Sequence, residues 1–267
     1  MNKVTIVSAL FNIKREGMDG RTWEEYLKWF EITLKLKCPM ILYVSKDVLE
    51  FVEERRLKIP TEIFVQEMEE IPYYYLKEKI DTILESDEYK NIISDPDRIE
   101  CKHSLYSIIQ FSKFKWLNHS IENNPFGSDY FFWLDAGASR FFEDFNLNSS
   151  YPSESAIEAL EGMGEKFLLQ KNTECYPDLV FSDKLDKRYL LDNRSFICGT
   201  FFGGHKDTIP QVSKLVDRVL TSEMLENGYV NNEQIVFGYL LKNHEELFEC
   251  YERENWKQIA LFLELSK

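Results

Sequence analysis

Residues 130–140 read Tyr-Phe-Phe-Trp-Leu-Asp-Ala-Gly-Ala-Ser-Arg (YFFWLDAGASR), and the break inside that stretch decides the fold. Five apolar residues without alternation predict a strand buried on both faces, as in a parallel sheet covered by helices. The run stops at Asp135, with Ala136 and Gly137 behind it. A carboxylate straight after a buried strand stands at the carboxyl edge of the sheet, where open α/β folds bind ligands. The small residues let a ligand's polar groups come close to the backbone. The same residues also read as an Asp-initiated turn, because Asp bonds its own turn backbone. Spacing alone leaves both readings open.

Outward toward the N-terminus the pattern repeats. Residues 3–10 form a β-branched run, followed by a loop with Gly17 and Gly20. Thr22 with Glu25 three residues on predicts a capping box. The helix it opens carries Trp23, Tyr26, Leu27, Phe30 and Leu34 on one face. Pro39 ends it, and 39–45 reads as a second strand. Asp47 opens a helix carried by Val48, Phe51 and Val52, and Pro60 precedes a third strand at 61–67. This β-α-β-α-β order predicts an α/β fold with an open, Rossmann-type, mostly parallel sheet and helices on both faces. Residues 68–100 read as helical but wet. From Leu105 a firmer helix runs through Ile108, Ile109 and Trp116, with Lys113 and Lys115 assigned to its polar side, and 124–129 is a turn.

Toward the C-terminus, 146–165 reads as loop plus short helix and 166–170 as a strand. Residues 196–204 (FICGTFFGG) read as a strand closing in Gly203-Gly204, with His205 at its rim. A helix is expected from Pro210 to Leu220, its core face made by Val212, Leu215, Val216 and Val219. Asn231-Asn232-Glu233-Gln234 then opens another. No repeat or linker interrupts 1–267, which is read as one domain.

Each segment has two readings. The glycine pair is a strand-to-helix turn, or a place for a sugar ring to lie against the backbone. Asn231 and Gln234 are a capping pair, with Glu233 favoured by the helix dipole; otherwise Glu233 is a cleft carboxylate serving as base or nucleophile. Lys14, Arg15, Arg21 and Lys113 are solvated, or they hold a diphosphate near the strand edge.

Composition narrows the function. The 267 residues carry a net charge of −14, which argues against a sequence-independent nucleic-acid binder and against docking on anionic lipid through a polybasic patch. With 44% hydrophobic and 15% aromatic residues the chain is not disordered. Cys38, Cys101, Cys175, Cys198 and Cys250 form no CxxC pair and read as buried thiols in a reducing cytosol. The N-terminus resembles neither a signal peptide nor a span, and no other stretch is long enough to cross a bilayer, so a cytoplasmic location is expected. No P-loop, GxGxxG or GxSxG occurs. His103, His119, His205 and His244 show no metal spacing.

Together, the N-terminal strand with its basic loop, FFWLDAG, GTFFGG and NNEQ resemble the HtrL/YibB (WlaTC-like) family of bacterial surface-polysaccharide proteins over roughly residues 3–250. More distantly they are similar to GT-A-fold glycosyltransferases, the blood-group A/B type among them. That resemblance implies transfer of a sugar from a nucleotide-diphosphate donor, UDP-linked by preference, to a lipopolysaccharide, capsule or lipid-linked glycan acceptor at the inner membrane face. It implies that Ala9, Arg15, Arg21, Lys113, Asp135, Ala136 and Gly137 surround the donor. Gly203, Gly204, His205, Asn231 and Gln234 would line the sugar and acceptor site, with Glu233 and Asp135 as catalytic carboxylates. Asp135 matches the first acidic position of the DxD pattern, while Gly137 stands where the second would be. This leaves three expectations for the Mn²⁺ or Mg²⁺ of that pattern: Asp135 holds it with phosphate oxygens, another side chain helps, or Arg15, Arg21 or Lys113 neutralises the diphosphate without it. A non-catalytic nucleotide-sugar or glycan-binding protein, and an interaction protein whose motifs are only caps and turns, are the alternatives.

Overall fold

Seven strands build the sheet of the computed structural model, which describes residues 3–142, 147–172, 185, 187–192 and 197–253. Cys175 and Phe196 lie outside the described residues. The strands are β1 (Val4–Leu10), β2 (Met40–Val44), β3 (Thr61–Val65), β4 (Tyr130–Leu134), β5 (Phe167–Asn172), β6 (Phe201–His205) and β7 (Phe248–Arg253). The α-helices are α1 (Glu16–Asp19), α2 (Trp23–Thr33), α3 (Leu49–Arg56), α4 (Lys77–Glu85), α5 (Asp87–Ile92), α6 (Ser104–Asn123), α7 (Glu154–Met163), α8 (Lys187–Leu190), α9 (Ile209–Arg218) and α10 (Glu233–Asn243).

Strand order is β3-β2-β1-β4-β6-β5-β7. β1, β2, β3 and β4 run parallel, as do β5 and β7, while β6 alone is antiparallel to its neighbours β4 and β5. The mixed α/β architecture expected from the sequence is therefore present. From β1 the chain first winds outward to β2 and β3, then returns to place β4 on the other flank. The ends of β1 and β4 consequently form the switch point at which such sheets leave a crevice.

Side chains alternate across the pleat. Val7, Ile41, Tyr43, Phe131 and Trp133 meet one layer, which includes α4, α6, α9 and α10. Ile6, Leu42, Val44, Phe132 and Leu134 meet the other, which includes α2, α3 and α7. The Thr22–Glu25 capping box forms as expected. Cys38, Cys101 and Cys198 are buried, and burial pushes the Cys38 and Cys198 thiols up to about 12, so both stay protonated.

Three expectations need correction. Residues 68–100 are not merely wet: Ile71, Tyr73, Ile80, Leu84 and Tyr89 are fully buried against the α6 layer, and the Tyr89 hydroxyl donates to the Val230 carbonyl at 2.7 Å. Gly203 and Gly204 do not close a strand in a turn. They lie inside β6, paired with Phe132 and Phe131. A Cβ on Gly203 would stand 2.1 Å from the Phe131 carbonyl oxygen, and one on Gly204 2.1 Å from that of Lys166. Bare glycine is the only residue that lets these backbones approach. Finally, Lys113 is not on a polar side: it is 1% exposed, because α6 packs against α4, α9 and the sheet at once and so runs inside the molecule, polar residues included.

Candidate functional site

A cavity of about 530 Å³ opens at the switch point, outside the carboxyl ends of β1 and β4, within the range of small-molecule sites. Its walls come from the end of β1 and the segment after it (Ala9 to Gly17 and Arg21), the start of α2, one face of α6, and the turn after β4. Among the donor-site residues expected from the sequence, Ala9, Arg15, Arg21, Lys113, Asp135, Ala136 and Gly137 all line it.

The Asp135 turn is held from several sides. The Trp133 indole N–H donates to Asp135 Oδ1 at 2.6 Å, and the Asp135 backbone N–H donates to the Thr200 carbonyl at 2.9 Å. The Thr33 hydroxyl donates to the Ala136 carbonyl at 3.2 Å and the Ser139 hydroxyl to that of Trp29 at 2.7 Å, pinning the turn on α2. Trp133 is itself fixed in a stack of Phe11, Trp116 and Trp133, with ring centres 5.7 and 5.8 Å apart.

Beneath this turn lies a buried charge cluster. Lys113 Nζ is 3.0 Å from Asp135 Oδ1 and 2.8 Å from Glu233 Oε1, and it donates to the Gly199 carbonyl at 2.8 Å. Burial by itself favours the neutral amine, yet Asp135 and Glu233 together hold the ammonium above its usual pKa. Burial raises the Glu233 carboxyl, with Lys113 opposing. Glu233 is 1% exposed and is not among the cavity walls; Lys113 stands between it and the opening. Its Oε2 has no hydrogen-bond partner among the described residues. Gly199 makes the cluster possible, since a Cβ there would stand 2.3 Å from Glu233 Oε1.

The other expected sugar-site residues are elsewhere or otherwise engaged. His205 pairs across from Tyr130, at the amino end of β4, so it and Gly203-Gly204 lie toward the opposite edge of the sheet from Asp135. The position is set by β6 running antiparallel to β4. Asn231 is fully buried, and its amide donates to the Leu190 carbonyl at 2.8 Å. The N-cap of α10 is Asn232 rather than Asn231: its Oδ1 accepts from the backbone N–H of Gln234 and Ile235, while its amide donates to Glu100 Oε1 at 3.0 Å. Gln234 lies near Gly199 but does not line the cavity.

Sequence reasoning missed four contributors. Arg140 lines the cavity, packed over Trp29 and Phe141. Tyr106 and Tyr26 flank Arg15, whose guanidinium also grips Asp19 and donates to the Tyr26 hydroxyl at 2.6 Å. Gln110 presents an Oε1 that has no partner among the described residues. A buried acceptor left open on a cavity wall suits a ligand N–H or O–H.

Comparison with known proteins places this geometry in context. Residues 2–263 match the model of a family described as "Bacterial protein of unknown function (HtrL_YibB)". No curated protein sequence matches the chain. Among solved structures, the crystal structure of apo mouse xyloside xylosyltransferase 1 is similar with a TM-score of 0.45 and 9% identity, covering 93% of this chain and 84% of that one.

Proposed function

The chain belongs to the HtrL/YibB family of bacterial proteins, and from that footing we propose that it is a glycosyltransferase using a nucleotide-diphosphate sugar, UDP-linked by preference. The observation that carries the reading is the cavity at the β1/β4 switch point. There an indole-anchored Asp135 faces a set of cations, with aromatic walls on either side. Aromatic faces suit a base or sugar ring, and the cations suit a diphosphate.

In the proposed step the acceptor hydroxyl oxygen bonds to the anomeric carbon. The bond from that carbon to the β-phosphate oxygen breaks, its electron pair leaving with the nucleoside diphosphate. Asp135, the cavity carboxylate at the strand end, takes the hydroxyl proton. Glu233 acts through Lys113 as a positioning residue, since its Oε1 fixes the ammonium that touches Asp135. A lipopolysaccharide, capsule or other lipid-linked glycan acceptor would bring the protein to the inner face of the membrane. Among the described residues no helix is long and apolar enough to cross it.

Turnover of nucleotide-sugar donors tests the assignment. Asp135→Asn should lower kcat by about 10²–10⁴-fold, the usual contribution of a positioned acid or base. Glu233→Gln should lower kcat by about 10²-fold through a misplaced ammonium, with KM for the donor little changed and Glu233→Asp recovering part of the loss. Near-normal turnover in Asp135→Asn contradicts the proposal. Donor binding without any turnover in the wild type favours the non-catalytic binding protein instead.

A further inference from the structure

We infer that the chain's own arginines, Arg15, Arg21 and Arg140, hold the donor diphosphate and, with the charge of Lys113 behind them, carry its departing charge in place of a divalent metal ion. This rests on the reading of the cavity as a nucleotide-diphosphate sugar site.

The residues present do not fit the Mn²⁺ or Mg²⁺ that the DxD resemblance implies. A hard divalent cation collects carboxylate and other oxygen ligands. At the position of the second acidic residue stands Gly137, and a Cβ built there would lie 3.1 Å from Arg140 Nη1, 3.3 Å from Trp29 and 3.4 Å from Tyr26. The space into which a second carboxylate would project is therefore taken up by a guanidinium and two aromatic rings. The first position is committed too: Asp135 Oδ1 accepts from the Trp133 indole and contacts the Lys113 ammonium at 3.0 Å. A divalent ion on that carboxylate would stand beside a buried positive charge. The cluster of metal-type side chains among the described residues, Glu165, His205 and Asp207, belongs to the other end of β4, where His205 pairs with Tyr130.

The charge of the cavity points the same way. Five cationic side chains line it against two carboxylates, Glu16 and Asp135, in a chain whose net charge is −14. Such local reversal of sign is what attracts an anionic ligand. Three of the five are arginines, whose planar fork matches phosphate oxygens two at a time and keeps its charge. Arg140 is exposed and has no carboxylate within ion-pair reach among the described residues, so its charge is available to a ligand.

Isothermal titration calorimetry of the full chain with UDP, GDP and dTDP, and with the matching monophosphates, tests this in EDTA and in Mn²⁺. One diphosphate should bind in EDTA, with Mn²⁺ changing its Kd by less than about 3-fold. Arg140→Gln should weaken that diphosphate by about 10-fold or more, the scale of a hydrogen bond to a charged group, and weaken the monophosphate much less. Binding that requires Mn²⁺, or that tightens more than about 10-fold with it, overturns the inference and leaves the cavity reading standing. Unchanged diphosphate affinity in Arg140→Gln overturns the arginine assignment. If none of the nucleotides binds under either condition, the cavity reading itself fails.

Discussion

Lys113→Met is expected to lower the melting temperature by about 10 °C, because breaking a buried ion pair from one side costs about 3–5 kcal/mol and each kcal/mol shifts a domain of this size by roughly 2–4 °C. The variant leaves Glu233, 1% exposed, with no cation at Oε1 and an Oε2 that has no partner among the described residues. Burial already raises the Glu233 carboxyl, and Lys113 is the main influence that opposes it. Without the lysine that pKa rises further. A carboxyl whose folded pKa lies above its unfolded value destabilises the protein once the pH exceeds the unfolded value, about 4.3 for Glu. The deficit of Lys113→Met relative to wild type should therefore be smallest near pH 4 and grow as the pH rises from there. Adding Glu233→Gln to Lys113→Met removes the unpaired charge and should restore part of the loss. Denaturant titrations of both variants at pH 5 and pH 8 check this. A Lys113→Met deficit below about 1 kcal/mol at pH 8 would contradict the description of the cluster as a buried ion pair.

Gly203→Ala should be at least as damaging in stability as it is uninformative about sugar selection. Its backbone φ is +155°, and the new methyl would meet the Phe131 carbonyl oxygen at 2.1 Å and the Phe132 Cα at 2.6 Å. These are backbone atoms of a central strand, so relief requires β4 and β6 to separate. Overpacking of about 1–3 kcal/mol combined with backbone strain of similar size gives a loss of about 3 kcal/mol or more. Gly137→Ala makes the contrast, because the nearest atom to its new methyl is the terminal nitrogen of the exposed Arg140. It should fold normally and act on ligand binding. Measured melting temperatures of the two variants, with solubility as a first indication, separate the roles. A stable Gly203→Ala with altered donor preference would return the glycine pair to the sugar site.

The outcome at these positions explains what the sequence does and does not disclose. β1, β2, β3 and β4 are announced by apolar runs bounded by Pro39, Pro60, the 124–129 turn and Asp135, all local signals. Their order implies the switch point, and with it most of the cavity wall around Ala9, Arg15 and Asp135. β7 is not announced, since Phe-Glu-Cys-Tyr-Glu-Arg carries too much charge for a core strand and is stabilised by pairing with β5. Lys113 is the most instructive misreading. A lysine on a helix is ordinarily placed on the wet face, yet α6 packs against α4, α9, β1 and β4 together, and Lys113 is buried there beside Phe111, Phe114, Trp116 and Leu117. Such a helix is buried, and its lysine must then find carboxylates. The glycine pair misleads for the opposite reason: two glycines suggest a turn, whereas inside a strand they mark close backbone approach. Arg140 and Gln110 have no local signature at all, because only tertiary packing brings α6 and the turn after β4 to one opening.

The central claim is that this opening takes a nucleotide-diphosphate sugar, and a thermal-shift panel of UDP-, GDP-, CMP- and dTDP-sugars on the wild-type chain tests it most directly. A ligand at about 100 times its Kd adds roughly 2.7 kcal/mol, which for this size of domain is a rise of about 5 °C or more. The account predicts that rise with a nucleoside-diphosphate sugar, UDP-linked by preference, and a smaller rise in Arg140→Gln, which removes a cation from the cavity wall. A midpoint unmoved by every donor would contradict it.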